Sequence, residues 1–503
     1  VLIKMETLIL IAAVMYLLHY FCTRNYNYWV NKNVKGPKPI PFFGNIKDSA
    51  LRKKNIGVIY KDIYDQYPDE KVIGFYRMTA PSLIVRELDV VKDILIKEFD
   101  VFPERGVAFS KNGLGDNLFH CNVKTWSTLR KRLTPAFSST KLKNLYPLFD
   151  SHGDKLVNYL ETVIAGNTEQ ELYQHTQKYT MSTVMAAVLG LDVELYNNKN
   201  GFIQRAGHFI FKSTYAAEAD MLFPNILKNT DLSLYNNDVN RFCYEVVKLA
   251  VEQRKKNPLA ANNLMDMMMN MMGDKINIIK RHGNEEDGYL EISKHVIAGQ
   301  VFILFAAGFG NNALSLSYAL FQLAKNPECQ EKLQKEINQV LTKYDGKLTY
   351  DALKEMTYLE KLFSEILRMN PLTNAIPRCS KLDYKVPGTD VVIEKGTSVI
   401  ISPYAIHRDE RLYPNPDQFD PERFSQENVN GRHPYAYIPF GFGPRSCLGK
   451  RMAQIQFGVA LVKILSKFTV TPSEKTKKIE NYDPMRTLIA TKVVDHSKYL
   501  KSY

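Results

Sequence analysis

Apolar and polar positions alternate in distinct ways along this chain, and each pattern predicts a different element. From Thr7 to Cys22 (TLILIAAVMYLLHYFC) no acidic or basic residue interrupts an apolar run except His19, which is near the lower length limit for a helix that crosses a bilayer. Val72 to Tyr76 and Ser82 to Val85 are short β-rich runs split by a turn, predicting a hairpin. Between about 140 and 370 the apolar spacing is helical with few strand signals. Val391 to Ile393 and Thr397 to Ile401, joined by Glu394-Lys395-Gly396, then predict a second hairpin, and Met452 to Leu465 a final apolar helix. The predicted class is mainly α with a minor β part. Lys280 to Asp287 (KRHGNEED) reads as an exposed loop before the most apolar helix, and the cluster Met265, Met267, Met268, Met269, Met271 and Met272 as filler of an irregular core or of a membrane-facing helix rather than a metal site.

The first run predicts an N-terminal membrane anchor helix. A cleaved signal fits its length too, but no small-residue cleavage site follows, and Tyr20, Phe21, Tyr26, Tyr28 and Trp29 crowd the exit as at a membrane interface. Arg24, Lys32, Lys35 and Lys38 outnumber the single Lys4 before the run, so the bulk of the chain is expected on the cytosolic side. Lys35 to Pro41 (KGPKPIP) reads as a stiff connector. The expected organisation is an anchor over 1–30, a hinge over 31–45 and a catalytic domain over 46–503, with Val1 to Lys4 preceding a plausible initiator at Met5.

Composition narrows the picture. The 503 residues, 45% hydrophobic, are ample for a packed core. Six scattered cysteines (Cys22, Cys121, Cys243, Cys329, Cys379, Cys447) show no framework spacing and suit a reducing compartment without disulfides. The net charge of +13 favours acidic partners or anionic membrane surfaces, while the absence of a basic run or recognition motif argues against nucleic acid.

The richest chemistry lies in Phe440-Gly441-Phe442-Gly443-Pro444-Arg445-Ser446-Cys447-Leu448-Gly449, just before the last helix. A cysteine at the positive end of a helix, in a turn with free backbone N–H groups, is expected to have a lowered thiol pKa and to serve as a metal ligand. A lone cysteine in such a turn can also be purely structural. No Cys-x-x-Cys or paired-histidine spacing accompanies it, which argues against zinc.

The order F-x-x-G-x-R-x-C-x-G resembles the haem-binding loop of the cytochrome P-450 (haem-thiolate) monooxygenases. The resemblance implies haem b with Cys447 as axial ligand, Phe440 beside it and Arg445 reaching a propionate. Trp126 and Arg130, spaced i,i+4, match a W-x-x-x-R helix whose side chains meet a propionate; Arg378 in Ile376-Pro377-Arg378-Cys379 falls where the family places another such arginine, and Arg105 in Phe102-Pro103-Glu104-Arg105-Gly106 is a weaker candidate. Glu365 and Arg368 match E-x-x-R, locked in this family by an arginine like Arg423 of Pro421-Glu422-Arg423-Phe424, a structural rather than catalytic role. The hinge resembles the proline-rich hinge of microsomal members, and the stretch Asp383 to Asp390, with Phe102 to Gly106, looks most similar to insect microsomal members of the xenobiotic-metabolising group.

One segment departs from the pattern. Ala307-Gly308-Phe309-Gly310-Asn311-Asn312 aligns with the oxygen-binding helix A-G-x-[DE]-T-[ST], so Ala307, Gly308 and Asn311 are the candidate oxygen-activation residues; Ala307 and Gly308 are expected to leave room beside the haem. Gly310 stands at the acidic position and Asn311 at the threonine, and an amide cannot relay a proton as a hydroxyl does. Lost proton delivery costs roughly 10²–10⁴-fold. Three functions stay open: monooxygenation with protons from water or from a substrate hydroxyl or amine, rearrangement of a preformed hydroperoxide without electrons, and lipophile binding by a weakly active haem protein. Lys124, Lys131, Arg132, Lys450 and Arg451 form a candidate basic face for an acidic NADPH-cytochrome reductase, with cytochrome b5 as a further candidate partner, and this favours the first. By the same resemblance a lipophilic substrate pocket is lined by Val107 to Phe119, Phe202 to Leu222, Phe302 to Asn311 and Leu372 to Ile376; Glu218 and Asp220 read as solvated carboxylates or as a lure for a cationic amine. The expected location is the endoplasmic reticulum membrane.

Overall fold

A computed structural model describes residues 5–106, 114–167, 169–196, 201–210, 214–223, 236–256, 263–277, 288–473 and 484. The loop expected at Lys280 to Asp287, the start Val1 to Lys4 and most of the pocket segment Val107 to Phe119 lie outside them. The architecture is mainly helical with a small sheet to one side, as the patterns predict.

The centre is the core helix Lys294–Lys325, started by Ser293, whose hydroxyl accepts from the Val296 N–H. It is apolar enough to cross a membrane, yet most of it is buried inside the protein. Helix Leu172–Leu189 packs closely along it, and the cysteine helix Lys450–Leu465 and helix Thr357–Met369 pack on its other sides. Met265, Met268 and Met269 are buried in the same cluster from the short helix Leu264–Asn270, so the methionines do fill core.

The main sheet has strands β1 (Val72–Arg77), β2 (Ala80–Val85), β3 (Ile376–Cys379) and β4 (Ser398–Ile401), in the order β1-β2-β4-β3. The first hairpin forms as predicted, with Val72 opposite Val85. The second does not. β4 runs parallel to β2 and antiparallel to β3, while Val392–Ile393 pairs with Tyr384–Lys385 in a separate ribbon. Both apolar runs were strands, but β4 is almost wholly buried in the sheet centre and takes two neighbours there, leaving none for its sequence neighbour. β3 is the edge strand, the position that tolerates Pro377, which has no N–H to give.

The N-terminal apolar run is a helix, Met5–Thr23, with nearly all of its side chains exposed. The aromatics after it divide. Tyr20 and Phe21 are exposed, whereas Trp29 is buried against β1, its Nε1–H donating to Phe75 O at 3.1 Å; a side chain on Gly74 would collide with the indole. Tyr28 donates to Glu394 at 2.7 Å, so it and Trp29 serve the globule rather than the membrane interface. The expected connector is tied down as well: Gly74 N–H donates to Lys35 O, and Asn45 Nδ2 to Pro37 O and Lys38 O.

Candidate functional site

Three separated segments are drawn together around Cys447. Cys379 N–H donates to Glu104 O at 2.8 Å and Lys381 N–H to Val101 O at 2.8 Å, clamping the Phe102 to Gly106 segment against edge strand β3. Arg445 Nε donates to Pro103 O at 3.2 Å, and Arg105 Nη2 to Arg445 O at 3.4 Å, which adds the cysteine loop. Arg105, the weaker candidate from sequence, is thereby at the centre.

Helix Val123–Leu133 supplies the fourth wall. Its N-cap Asn122 accepts from Thr125 N–H, and Trp126 and Arg130 follow on one face. Trp126 is buried with the Arg445 guanidinium stacked over its ring at 4.3 Å. Arg105 lies over the Phe119 ring at 4.1 Å and donates to Phe119 O at 2.8 Å.

The result is a knot of positive charge. Burial, followed by the charges of Arg445 and Arg378, holds Arg105 well below the usual guanidinium range. Burial and Arg445 bring Arg378 down to about 9. Arg105, Arg130 and Arg378 form no ion pair among the described residues, and Arg378 Nε is buried without a hydrogen-bond partner. Such a cluster is stable only if anionic oxygens meet it.

The cysteine loop turns tightly. Cys447 N–H donates to Phe440 O at 2.9 Å and Ser446 N–H to Gly443 O at 3.0 Å, with Gly441 and Gly443 at φ +65° and +72°. The Phe440 ring lies 6.3 Å from that of Phe363. Burial pushes the Cys447 thiol up, against the Gly449 N–H and the charges of Arg130, Arg105 and Lys450, which pull it down. The walls around the sulfur thus outweigh the lowering expected from the helix end, although Cys447 itself is exposed to the space beside its loop.

The core helix packs against the helix that follows the cysteine. Within that buried element Ala307 is exposed, and Ile303, Leu304, Gly308 and Asn311 on the same stripe are partly exposed. Ala307 thus opens onto a space beside the core helix, and Cys447 is exposed at its own loop. The two small residues differ in surroundings: a side chain on Gly308 would meet Val184 Cγ2 at 2.8 Å, so its glycine admits helix Leu172–Leu189, whereas Ala307 is exposed. Asn311 Nδ2 donates back to Ala307 O at 3.2 Å, and its Oδ1 is buried without a partner.

A flat group with an iron for the sulfur, carboxylates for the arginines and an apolar face for Ala307 fits these residues. A model of the family described as Cytochrome P450 matches residues 34–496. The chain belongs to the cytochrome P450 family. It is 44% identical over 480 residues to cytochrome P450 6B1 of Papilio polyxenes, covering 95% of this chain and 96% of that one. It is also 43% identical to cytochrome P450 6B2 of Helicoverpa armigera (96% and 95% covered) and 32% identical to cytochrome P450 6a2 of Drosophila melanogaster (96% and 97%). Family membership makes the protein a haem-binding P450 monooxygenase.

The P450 core behind the slot is built on a buried ion pair. Arg368 donates through Nε and Nη2 to the two Glu365 oxygens at 2.7 and 2.9 Å, and through Nη1 to His407 O at 2.9 Å. Glu365 also accepts from Asp420 N–H at 2.9 Å, and Arg423 Nε lies 3.6 Å from it. Burial pushes the Glu365 carboxyl up while Arg368 opposes that shift. Sequence reasoning missed His407: its Nε2 accepts from Ile438 N–H at 2.9 Å, joining this core to the segment that leads into the cysteine loop. A histidine inside an apolar run (Tyr404-Ala405-Ile406-His407) was the available signal.

The substrate side is described in part. Helix Phe202–Ile210 flanks the core helix, whereas helix Tyr215–Leu222 packs through Leu222 on the sheet-side core and its Glu218 is ion-paired with Arg52. That pairing removes Glu218 as a free lure for an amine.

Proposed function

We propose that this P450 is a reductase-dependent monooxygenase of lipophilic small molecules, anchored in the endoplasmic reticulum membrane by the helix Met5–Thr23, shorter than the anchor of 1–30 expected from sequence because Tyr28 and Trp29 pack on the globule, with its catalytic domain on the cytosolic face. Cys447 ligates the haem iron, Arg105, Trp126, Arg130, Arg378 and Arg445 hold the propionates, and Phe440 packs beside the ligand. The observation that carries this reading is the convergence of buried arginines beside an open cysteine and an open Ala307. When bound, haem supplies the redox chemistry that inserts one oxygen atom into a substrate, with the thiolate donating electron density. The protein's own part is to anchor the group through charge, to shield it with Trp126 and Phe440, and to present the apolar stripe from Ile303 to Ala307 to a substrate.

Proton supply distinguishes this chain. Asn311 holds one N–H on the Ala307 carbonyl and keeps a second to offer, but it cannot pass a proton on. Protons therefore come from water or from the substrate. Electron supply is supported by a groove of about 610 Å³ lined by Arg130, Lys131, Cys447, Lys450 and Arg451, which puts exposed cations of two helices behind the cysteine, suited to an acidic flavoprotein. Cytochrome b5 would meet the same face.

The test is a comparison within one membrane preparation: the reduced carbon monoxide spectrum for a thiolate-bound haem, then turnover with NADPH, reductase and dioxygen against turnover with a lipid hydroperoxide alone. Product formed only with reductase and dioxygen is expected. Rapid hydroperoxide consumption without electrons would instead make Gly310 and Asn311 the mark of a peroxide-rearranging enzyme; haem without turnover in either arm would leave a lipophile-binding protein.

A further inference from the structure

The two walls of the haem slot are joined by a polar contact that neither the motif nor the site explains. Asn312 follows Ala307 by five residues, about 140° round an α-helix, so when Ala307 faces the slot Asn312 faces elsewhere. It faces the cysteine helix: its Nδ2 donates to Gln456 Oε1 and lies 3.5 Å from Ala453 O. Gln456 stands nine positions after Cys447 on the helix that begins behind that cysteine.

Gln456 is engaged at every polar atom. Its Oε1 accepts from Asn312, its Nε2 donates to Thr180 O at 3.0 Å and to Thr183 Oγ1, and its carbonyl accepts from Tyr179 O–H at 3.1 Å. Thr183 in turn donates to Tyr179 O at 2.9 Å. Gln456, Thr180, Thr183 and Tyr179 are fully buried, and Asn312 nearly so. Three helices thus meet at one ring of directional bonds, surrounded by apolar side chains that could slide past one another at little cost. Buried amides are tolerated only when their polar atoms are satisfied, as both ends of Gln456 are.

We propose that Asn312 and Gln456 are positioning residues that set the height of the haem slot. They fix the core helix against the cysteine helix at one point, and so fix Ala307 and Asn311 relative to Cys447. Helix Leu172–Leu189 holds the Gln456 amide through Thr180 and Thr183 and keeps it from turning to another partner. Loss of the bond lets the core helix shift along or away from the cysteine helix, changing how closely its slot-facing stripe approaches a ligand on the iron. The inference rests on the reading of Cys447 as the haem ligand.

The experiment uses the full-length haem protein in membranes, comparing Asn312→Leu, Gln456→Leu, the double variant and Gln456→Glu. The readouts are the stretching frequency of iron-bound carbon monoxide, the affinity for a nitrogen-ligating azole, and the melting temperature. Each leucine variant is expected to shift the carbon monoxide band and to weaken azole binding about tenfold, from one buried amide left unpaired. The double variant should fall short of the sum of the two, and Gln456→Glu, which when protonated in this buried place keeps an acceptor for Asn312 and a donor for Thr180 O, should restore most of the band position. If a leucine variant does not fold, Thr183→Val makes the same prediction with about a threefold loss of azole affinity. Lowered melting temperatures with an unchanged carbon monoxide band and azole affinity would overturn the proposal and leave a packing contact. A parent protein lacking the thiolate signature would instead overturn the reading of Cys447 beneath it.

Discussion

Substituting alanine for Gly443 probes the cysteine loop, and the structure gives a size for the effect. Gly443 has φ +72°, and a Cβ placed there would lie 1.9 Å from the carbonyl oxygen of Leu95. That oxygen belongs to the π-helical turn Asp93–Lys97, so it is backbone and cannot rotate aside. Leu95 is itself fully buried, and to reach even a tight contact the two segments would have to part by more than an ångström. The left-handed conformation costs alanine about 1–2 kcal/mol, and overpacking adds about 1–3 kcal/mol. The sum, about 2–5 kcal/mol, is roughly a 30-fold to several-thousand-fold change in the ratio of seated to displaced loop. Gly441 is the control: its φ is +65°, but an added Cβ there would meet only the Ile376 Cδ1 at 3.9 Å. Gly441→Ala should therefore suffer the conformational cost alone. The assay is the fraction of haem showing the thiolate carbon monoxide band in each purified variant, with melting as a second measure. Gly443→Ala is expected to lose most of that band and Gly441→Ala to keep much of it. Equal behaviour of the two, or a normal band in Gly443→Ala, would refute the claim that Leu95 sets the position of the loop.

Three other perturbations follow from the same geometry. Arg368→Met leaves the Glu365 carboxylate buried without its main partner and should destabilise the fold by about 3–5 kcal/mol, read as loss of haem-containing protein and of melting temperature. His407 is held neutral, its pKa brought down to about 3 mainly by burial and then by Arg368 and Arg408. The unfolded chain then binds the extra proton first, so stability falls as pH drops below about 6.5 towards 3, and His407→Gln should flatten that part of the curve, measured as the lifetime of the thiolate band at pH 5 against pH 7. His175, lowered to about 4, contributes in the same direction. Finally, Lys131→Glu with Arg132→Glu should slow reductase-driven haem reduction about tenfold at low ionic strength and little at high; a salt-independent rate in the parent protein would remove the docking face.

The class of fold, the first hairpin, the N-terminal apolar helix and the buried Glu365–Arg368 pair were legible because each depends on local spacing or on a motif whose chemistry is self-contained. What the sequence hid was pairing between distant segments. The apolar run at Val399 to Ile401 announced a strand but could not say that β2 and β3, rather than Val392–Ile393, would flank it. Trp29 read as an interfacial aromatic because its receiving surface, Gly74, lies far along the chain. Arg105 looked marginal until the bridge between Glu104 and Cys379 placed it beside Arg378. The Cys447 thiol is pushed up rather than down because the walls around it, set by distant segments, desolvate its charged form more than the Gly449 N–H and nearby cations offset. Asn312 and Gln456 were detectable only as amides at positions that helical spacing assigns to the core.

The burial of Trp29 has a consequence for where substrates come from. The helix Met5–Thr23 ends six residues before that indole, a leash of at most about 20 Å even if drawn straight. With the helix in a bilayer, the sheet side of the globule is moored against the headgroups and cannot roam the aqueous phase. Val30, Ile40 and Phe42, all exposed near the mooring point, would then face the bilayer surface. A compound dissolved in lipid is concentrated at the doorstep of this enzyme before any pocket contact is made, so partition into the membrane, as much as fit to the haem slot, would rank its substrates.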